Sequence, residues 1–117
     1  MEFYQRKNGD VPALEFVYSL NPKLQAKVFS EIELLKKHGP NLREPFVKPI
    51  NGTKNKGIFE LRIKFSTDIS RIFYFVHCDN VYVLLNGFVK KTGKTPEREI
   101  ERARRYKIDY EMRVFHE

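Results

Sequence analysis

The spacing of apolar residues changes near residue 45, and this change limits the folds that the 117-residue chain can adopt. Before residue 45, apolar side chains recur every three to four residues, which is the period of a helix with one buried face. After it, in the segment 59–65, they alternate with charged side chains, which is the period of a strand with one buried face. The chain after residue 95 returns to helical spacing. This order of elements predicts a small α+β domain.

Signals for helix ends divide the first part of the chain into two helices. The first is expected from Asp10, as its N-cap, to about Leu20. The second is expected from Asn21, as its N-cap, to the Gly39-Pro40 pair, which stops it. A proline lies just inside each start, where its missing N–H costs nothing.

The strands are expected to form one antiparallel sheet. Four are placed at residues 46–50, 59–65, 71–77 and 81–85, and the segment 2–6 is a further candidate for a short strand. Pro49 limits its strand to an edge of the sheet. The segment 66–70 is expected to turn the chain, and the segment 78–80 to connect the last two strands. Those two strands are apolar on both faces, which predicts a central position covered by helices. Thr95 is expected to cap a final helix that begins at Pro96.

The length favours one domain spanning residues 1–117. Its predicted architecture is an antiparallel sheet of about four strands packed against two N-terminal helices and one C-terminal helix. The N-terminus lacks the apolar core of a signal peptide, and no apolar run approaches the ~20 residues that span a bilayer. A cytoplasmic protein without a membrane partner is therefore expected, and the single cysteine, Cys78, agrees with that compartment.

Cysteine and histidine residues are too few and too scattered to predict a structural zinc site. The chain has one cysteine and three histidines, with no pair at ligand spacing. It also lacks the glycine patterns of Walker and dinucleotide-binding loops. No metal and no cofactor are therefore expected.

Positive charge is concentrated in the predicted sheet. The formal net charge is +7, and residues 43–95 hold ten lysines and arginines against four acidic residues. That segment therefore accounts for nearly all of the excess. A protein can be basic for solubility alone, but concentration in one segment favours a nucleic-acid or phosphate partner.

Basic and aromatic side chains of the sheet form the candidate site. Arg62 and Lys64 lie two residues apart on one strand, so they project side by side, and Arg71 is expected to come close from the next strand. Phe88 offers an aromatic face for base stacking. Three further cations follow the last strand: Lys90, Lys91 and Lys94. Such a group would hold a phosphate backbone and stabilise the negative charge that forms when an RNA 2′-hydroxyl attacks phosphorus. That reaction needs no metal, because the nucleophile belongs to the substrate.

Other interpretations of the same residues stay open. Alternating cations on a strand are most often a solvated face, and a lysine-rich loop is often no more than that. Glu60 is either a proton acceptor or the partner of Arg62 or Arg71 in a structural ion pair. A non-catalytic module that grips RNA or an acidic protein would have much the same sequence.

Three segments carry a family resemblance: GIFELR at 57–62, SRIFYFV at 70–76 and VLLNGFVKKTGKTPEREIERA at 83–103. They resemble the phage-derived, HigB-like branch of the RelE/ParE toxin superfamily, over about residues 42–110. The resemblance implies a RelE-like fold and the toxin of a type II toxin–antitoxin system. It also implies a ribosome-dependent endoribonuclease, or mRNA interferase, that cuts mRNA in the small-subunit decoding site. The implied partner is a helix-turn-helix, HigA-like antitoxin.

The resemblance also implies roles for individual residues. Arg62 and Arg71 would grip and stabilise the scissile phosphate, with Glu60 as a further catalytic candidate, and Phe88 would stack on a base. The contacts to RNA phosphates would come from Lys90, Lys91 and Lys94. Asn86 departs from the pattern, because relatives often carry a histidine there and an amide does not titrate near neutral pH. Either a lysine with a lowered pKa or the ribosome would then supply proton transfer, or the activity would be weak.

Overall fold

The secondary structure follows the predicted order of elements. The computed structural model describes residues 1–42, 46–66, 68–78, 80–90 and 94–115. In these residues the strands and α-helices are, in chain order, β1 (Glu2–Phe3), α1 (Pro12–Tyr18), α2 (Pro22–His38), β2 (Val47–Pro49), β3 (Ile58–Phe65), β4 (Asp68–His77), β5 (Val81–Lys90) and α3 (Glu97–Phe115). The predicted α+β class is confirmed.

The five strands of the described ranges form one mixed sheet in the order β1-β5-β4-β3-β2. Strands β2 to β5 pair antiparallel, as predicted, and β2 is the edge strand that Pro49 requires. β1 pairs parallel to β5, so the prediction of a wholly antiparallel sheet is wrong at this edge. A strand of two residues carries no alternation, so its direction and its partner cannot be derived from its sequence.

The predicted helix start is confirmed at α2 and wrong at α1. The Asn21 side chain accepts a hydrogen bond from the Leu24 N–H at 2.9 Å, as an N-cap does. At α1 the N-cap is Val11 rather than Asp10, and its side chain makes no capping bond. The Glu15 carboxylate instead accepts from the Val11 N–H at 2.8 Å, so a side chain of the first turn satisfies this donor. The C-terminal end of α1 also comes two residues before the predicted one.

Two other boundaries differ from prediction by a few residues. α3 begins at Glu97 rather than Pro96, whose carbonyl accepts the first hydrogen bonds of the helix. Thr95 therefore lies outside the first turn. β4 begins at Asp68, inside the segment 66–70 that was predicted to turn the chain, and Thr67 of that segment lies outside the described residues.

β5 is five residues longer than predicted and contains a β-bulge. Phe73 lies opposite Asn86 and Tyr74 lies opposite Leu84, which leaves Leu85 as the extra residue. Leu85 packs with the buried residues on the α3 side, and Asn86 makes a hydrogen bond to α3. The bulge thus shifts the phase of the side chains for the rest of the strand.

The turn between β4 and β5 is described in part. Cys78 has a left-handed φ of 50°, and its carbonyl accepts a hydrogen bond from the Asn80 N–H at 2.8 Å. This geometry agrees with a turn at 78–80, of which Asp79 lies outside the described residues.

Helices cover both faces of the sheet. α1 and α2 pack on one face, where the buried residues of the strands are Val47, Leu61, Ile63, Ile72, Tyr74 and Leu84. α3 packs on the other face, where the corresponding residues are Ile58, Phe73, Phe75, Val83 and Leu85. β4 and β5 are therefore buried on both sides, as predicted from their apolar sequences. Within the described ranges, no helix combines the length and the apolar character needed to cross a bilayer.

Candidate active site

The pairing of β3 with β4 brings three predicted site residues to one face of the sheet. Arg62 lies directly opposite Arg71, and Glu60 lies two residues earlier on the same strand. Because side chains alternate along a strand, all three project toward the α3 side. α3 packs mainly on β5 and β4. The expectation that Arg71 comes close to Arg62 from the neighbouring strand is confirmed, although Arg71 lies inside β4 rather than at its start.

Glu60 and Arg71 form a buried ion pair. Nη1 of Arg71 donates to Oε1 of Glu60, and the two side chains are only 4% and 3% exposed. Nε of Arg62 lies 3.8 Å from the same carboxylate oxygen, while the Arg62 side chain is 28% exposed. One carboxylate oxygen therefore lies within ion-pair distance of two guanidinium groups, and Arg71 is the one hydrogen-bonded to it. The ion-pair interpretation of Glu60 is confirmed.

Two buried polar atoms of this pair have no hydrogen-bond partner among the described residues. Oε2 of Glu60 and Nε of Arg71 make no hydrogen bond to any residue that the structure describes. A buried polar atom without a partner costs free energy, typically about 1–3 kcal/mol. Both residues line a cleft, although these two atoms are themselves buried.

The cleft is small, and its lining includes four cations and two carboxylates. It has a volume of about 220 Å³ and is lined by Lys48, Pro49, Ile50, Asn51, Glu60, Arg71, Lys90, Lys94, Thr95, Glu97 and Ile100. We call it the cationic cleft. Four predicted site residues line it: Glu60, Arg71, Lys90 and Lys94. Arg62 does not line it but contacts Glu60, so it lies at the border.

The cations of the cleft change one another's affinity for protons. Burial lowers the pKa of Arg71, the Glu60 carboxylate opposes that shift, and the charge of Arg62 adds to it. Burial is also the main reason that the pKa of Lys90 is lowered, followed by repulsion from Arg71. Lys90 is therefore a lysine that gives up its proton more readily than a solvated one.

Lys48 is a cleft residue that the sequence did not single out. It lies on β2 directly opposite Glu60 and lines the cleft, and its charge contributes to the lowered pKa of Lys90. The sequence placed Lys48 in the basic segment and on an edge strand. The pairing register of that strand, which brings it to Glu60, is a tertiary feature.

Other predicted residues lie around the cleft rather than in it. Phe88 is half-buried, lies opposite Arg71, and packs against Phe73 with ring centroids 5.5 Å apart. Lys64 is exposed and lines a separate groove together with Arg62. Lys91 lies outside the described residues. Their contacts with RNA stay predictions.

Asn86 is buried beneath the start of α3. Its Nδ2 donates to the backbone carbonyl of Glu99 at 3.2 Å, and its Oδ1 has no hydrogen-bond partner among the described residues. The side chain does not line the cationic cleft. Asn86 therefore fastens β5 to α3 and lies apart from the cations that a phosphate would meet.

The sequence model of a family described as phage-derived Gp49-like proteins (DUF891) matches residues 15–107. The chain belongs to this family. It is a family of RelE/HigB-like toxins, so the chain is a toxin-like protein of phage derivation. No curated protein sequence matches the chain.

The match to the Gp49-like family contains the whole cationic cleft, because it runs from α1 to the middle of α3. Glu60, Arg62, Arg71 and Lys90 all fall inside it. Among the residues that the structure describes, no three His, Cys, Asp or Glu side chains are arranged to hold a metal ion.

Proposed function

We propose that this Gp49-like protein is the toxin of a type II toxin–antitoxin system, and that it acts as a ribosome-dependent endoribonuclease. It would cleave translated mRNA without a metal ion and so arrest growth. The observation that carries the proposal is the buried Glu60–Arg71 pair at the edge of the cationic cleft. A buried ion pair often contributes less to stability than apolar residues of similar size. Retention of such a pair beside a cleft rich in cations supports a role in binding and chemistry.

The proposed reaction uses the substrate's own nucleophile. The ribose 2′-oxygen attacks the adjacent phosphorus, the O2′–P bond forms, and the P–O5′ bond breaks. The products are a 2′,3′-cyclic phosphate and a 5′-hydroxyl. Arg62 and Arg71 stabilise the additional negative charge on the phosphorane oxygens. Arg71 is positioned before substrate arrives by its hydrogen bond to Glu60, and Arg62 is attracted to the same carboxylate oxygen at 3.8 Å.

Two proton transfers accompany the attack. Oε2 of Glu60 is the proposed acceptor of the 2′-hydroxyl proton, because Glu60 lines the cleft and this oxygen has no hydrogen-bond partner among the described residues. The oxygen is buried, so the proposal requires the Glu60 side chain to move when RNA binds. Lys90, with its lowered pKa, is the proposed donor to the 5′-oxygen. This role for Lys90 replaces the proton-transfer group that Asn86 does not provide.

The proposed partners follow from the family. The mRNA would be presented in the decoding site of the small ribosomal subunit, and a helix-turn-helix, HigA-like antitoxin would neutralise the protein. The excess of positive charge in residues 43–95 supports contact with a polyanion.

A second candidate function is a non-catalytic module that binds RNA or an acidic protein. It is favoured by Asn86, whose amide does not titrate and is bonded to α3 instead of facing the cleft. Such a module would use the same cations without breaking a bond.

Primer extension on a translated mRNA distinguishes the two functions, with Arg62→Ala as the test variant. Arg62 is partly exposed, and the buried Glu60 stays paired with Arg71 when Arg62 is removed, so the variant leaves no unpaired buried charge. We expect the parent to produce cuts within codons and Arg62→Ala to lower the cleavage rate about 100-fold or more. The matched control is Lys36→Ala, at an exposed cation in the last turn of α2 that does not line the cleft.

Two results would contradict the proposal. An unbroken transcript during growth arrest by the parent would favour the binding module. Cleavage by Arg62→Ala at the rate of the parent and of Lys36→Ala would show that the site lies elsewhere.

A further inference from the structure

A second groove lies beside the cationic cleft and is not part of it. It has a volume of about 340 Å³ and lies between α2 and the part of β3 that extends beyond β2. Its lining consists of Lys27, Glu31, Phe46, Arg62, Lys64 and Ile69. We call it the Phe46 groove. Arg62 lines this groove and also contacts Glu60 in the cleft, so the two are adjacent.

The Phe46 ring is the aromatic surface of this groove. Its side chain is 43% exposed, which is unusual for a phenylalanine. The Phe46 carbonyl accepts a hydrogen bond from the Arg62 N–H at 2.8 Å, so the backbone that carries the ring is fastened to the strand that carries the candidate site. The ring is thus held next to the cationic cleft rather than on a free loop.

The charges of the groove favour an anion next to the ring. Lys64 is exposed, and the partly exposed Arg62 also lines the groove. The one carboxylate in the lining, Glu31, is buried and paired with Lys27 at 3.1 Å, so it is neutralised within the protein. An exposed aromatic ring flanked by cations is the arrangement that binds a base and its phosphate in single-stranded RNA.

We propose that the Phe46 groove is a nucleotide-binding subsite. Phe46 stacks on the base next to the scissile phosphate, and Lys64 contacts the phosphate beyond it. The inference rests on the proposed function, because it takes RNA as the substrate of the adjacent cleft. It assigns the base contact to Phe46, which is more exposed than the half-buried Phe88.

Binding of an RNA analogue that cannot be cleaved tests the subsite. A short 2′-O-methyl oligoribonucleotide lacks the attacking hydroxyl, so its affinity is measured independently of any ribonuclease activity. The protein contains no tryptophan, so Phe46→Trp introduces a single fluorescent reporter into the groove. We expect the oligonucleotide to quench this fluorescence, and an abasic oligonucleotide of the same length to quench it much less.

Phe46→Ala should weaken binding of the 2′-O-methyl oligonucleotide about 10-fold, as expected for loss of one base–aromatic stack, and Phe46→Trp should restore it. The control is Tyr18→Ala, another exposed aromatic residue, which does not line the groove. Parent-like affinity of Phe46→Ala, equal quenching by the abasic oligonucleotide, or no binding by the parent would overturn the subsite. Absence of mRNA cleavage together with Phe46-dependent binding would overturn the ribonuclease function alone.

Discussion

The two faces of β3 and β4 differ sharply although their residues alternate along the same strands. On the α1 and α2 side, Leu61, Ile63 and Ile72 are fully buried among apolar side chains. On the α3 side, their neighbours in sequence are Glu60, Arg62 and Arg71, which form an ionic cluster at a cleft. One pair of strands therefore supplies both a core and a candidate site.

The apolar face of β3 and β4 contributes mainly to stability, and the ionic face contributes mainly to the proposed function. Burial of an aliphatic side chain such as Leu61 contributes about 1.5–3 kcal/mol to folding. A buried pair such as Glu60–Arg71 roughly repays its own desolvation and contributes little net free energy. The apolar face therefore accounts for the fold, and the ionic face is explained by what it binds.

The largest effect is expected from removing one member of the Glu60–Arg71 ion pair. Arg71→Ala leaves Glu60 buried without its main partner, so the free energy of unfolding should fall by about 3–5 kcal/mol. The double variant Glu60→Met, Arg71→Met should recover most of that stability but none of the RNA cleavage. Urea unfolding and primer extension on the same preparations measure the two effects.

Recovered stability without recovered cleavage in the double variant would show that the Glu60–Arg71 pair serves function rather than folding. If the double variant cleaved mRNA like the parent, the ionic face would be merely structural. If it were as unstable as Arg71→Ala, the ion pair would contribute more to folding than we infer.

A somewhat smaller effect is expected on the apolar face. Leu61→Ala removes a fully buried side chain from the core beneath α2 and should cost about 2–5 kcal/mol of unfolding free energy. Leu34→Ala, at an exposed leucine of α2, should change stability by no more than about 0.5 kcal/mol. The remaining folded fraction of Leu61→Ala should bind RNA with the parent's affinity. Loss of affinity in that fraction would mean that the two faces are not independent.

The smallest effect is expected at Lys90. Its pKa is lowered in the folded state, mainly by burial, so the unfolded chain binds more protons and the charged lysine opposes folding. Lys90→Met should therefore be slightly more stable than the parent at pH 7, by less than about 1 kcal/mol. The difference in stability between Lys90→Met and the parent should shrink as the pH rises toward 10.5, the ordinary pKa of a lysine side chain.

Urea unfolding at neutral and alkaline pH measures this difference, and primer extension should show lost cleavage in the same variant. A Lys90→Met protein that is less stable than the parent at pH 7 would contradict the sign of the effect. Undiminished cleavage would remove Lys90 from proton transfer.

Local patterns predicted those parts of the fold that depend on neighbours in sequence. The Asn21-Pro22 start of α2 and the alternation of β3 were correct because caps and one buried face are local features. β1 was too short to reveal its parallel pairing, and β5 continues five residues past its predicted end with a bulge that its apolar sequence did not indicate. These errors share one cause, since strand pairing depends on residues distant in sequence.

The candidate site divides in the same way. Glu60 and Arg62 were predicted together because they lie on one strand with the same phase. Lys48 and Phe46 were missed because they precede β3 by a loop, and only the antiparallel pairing of β2 brings them alongside it.

The sequence by itself determined the class of fold, the position of the positive charge and the family signature, since each is a property of composition or of short periods. The tertiary structure decided that Glu60 is paired with Arg71 and lies within ion-pair distance of Arg62. It also decided that Asn86 faces α3 and that Phe46 lies in a groove beside Arg62. The physical reason is that strand register and a single bulge select which side chains share a face. Neither leaves a signal in the spacing of any one segment.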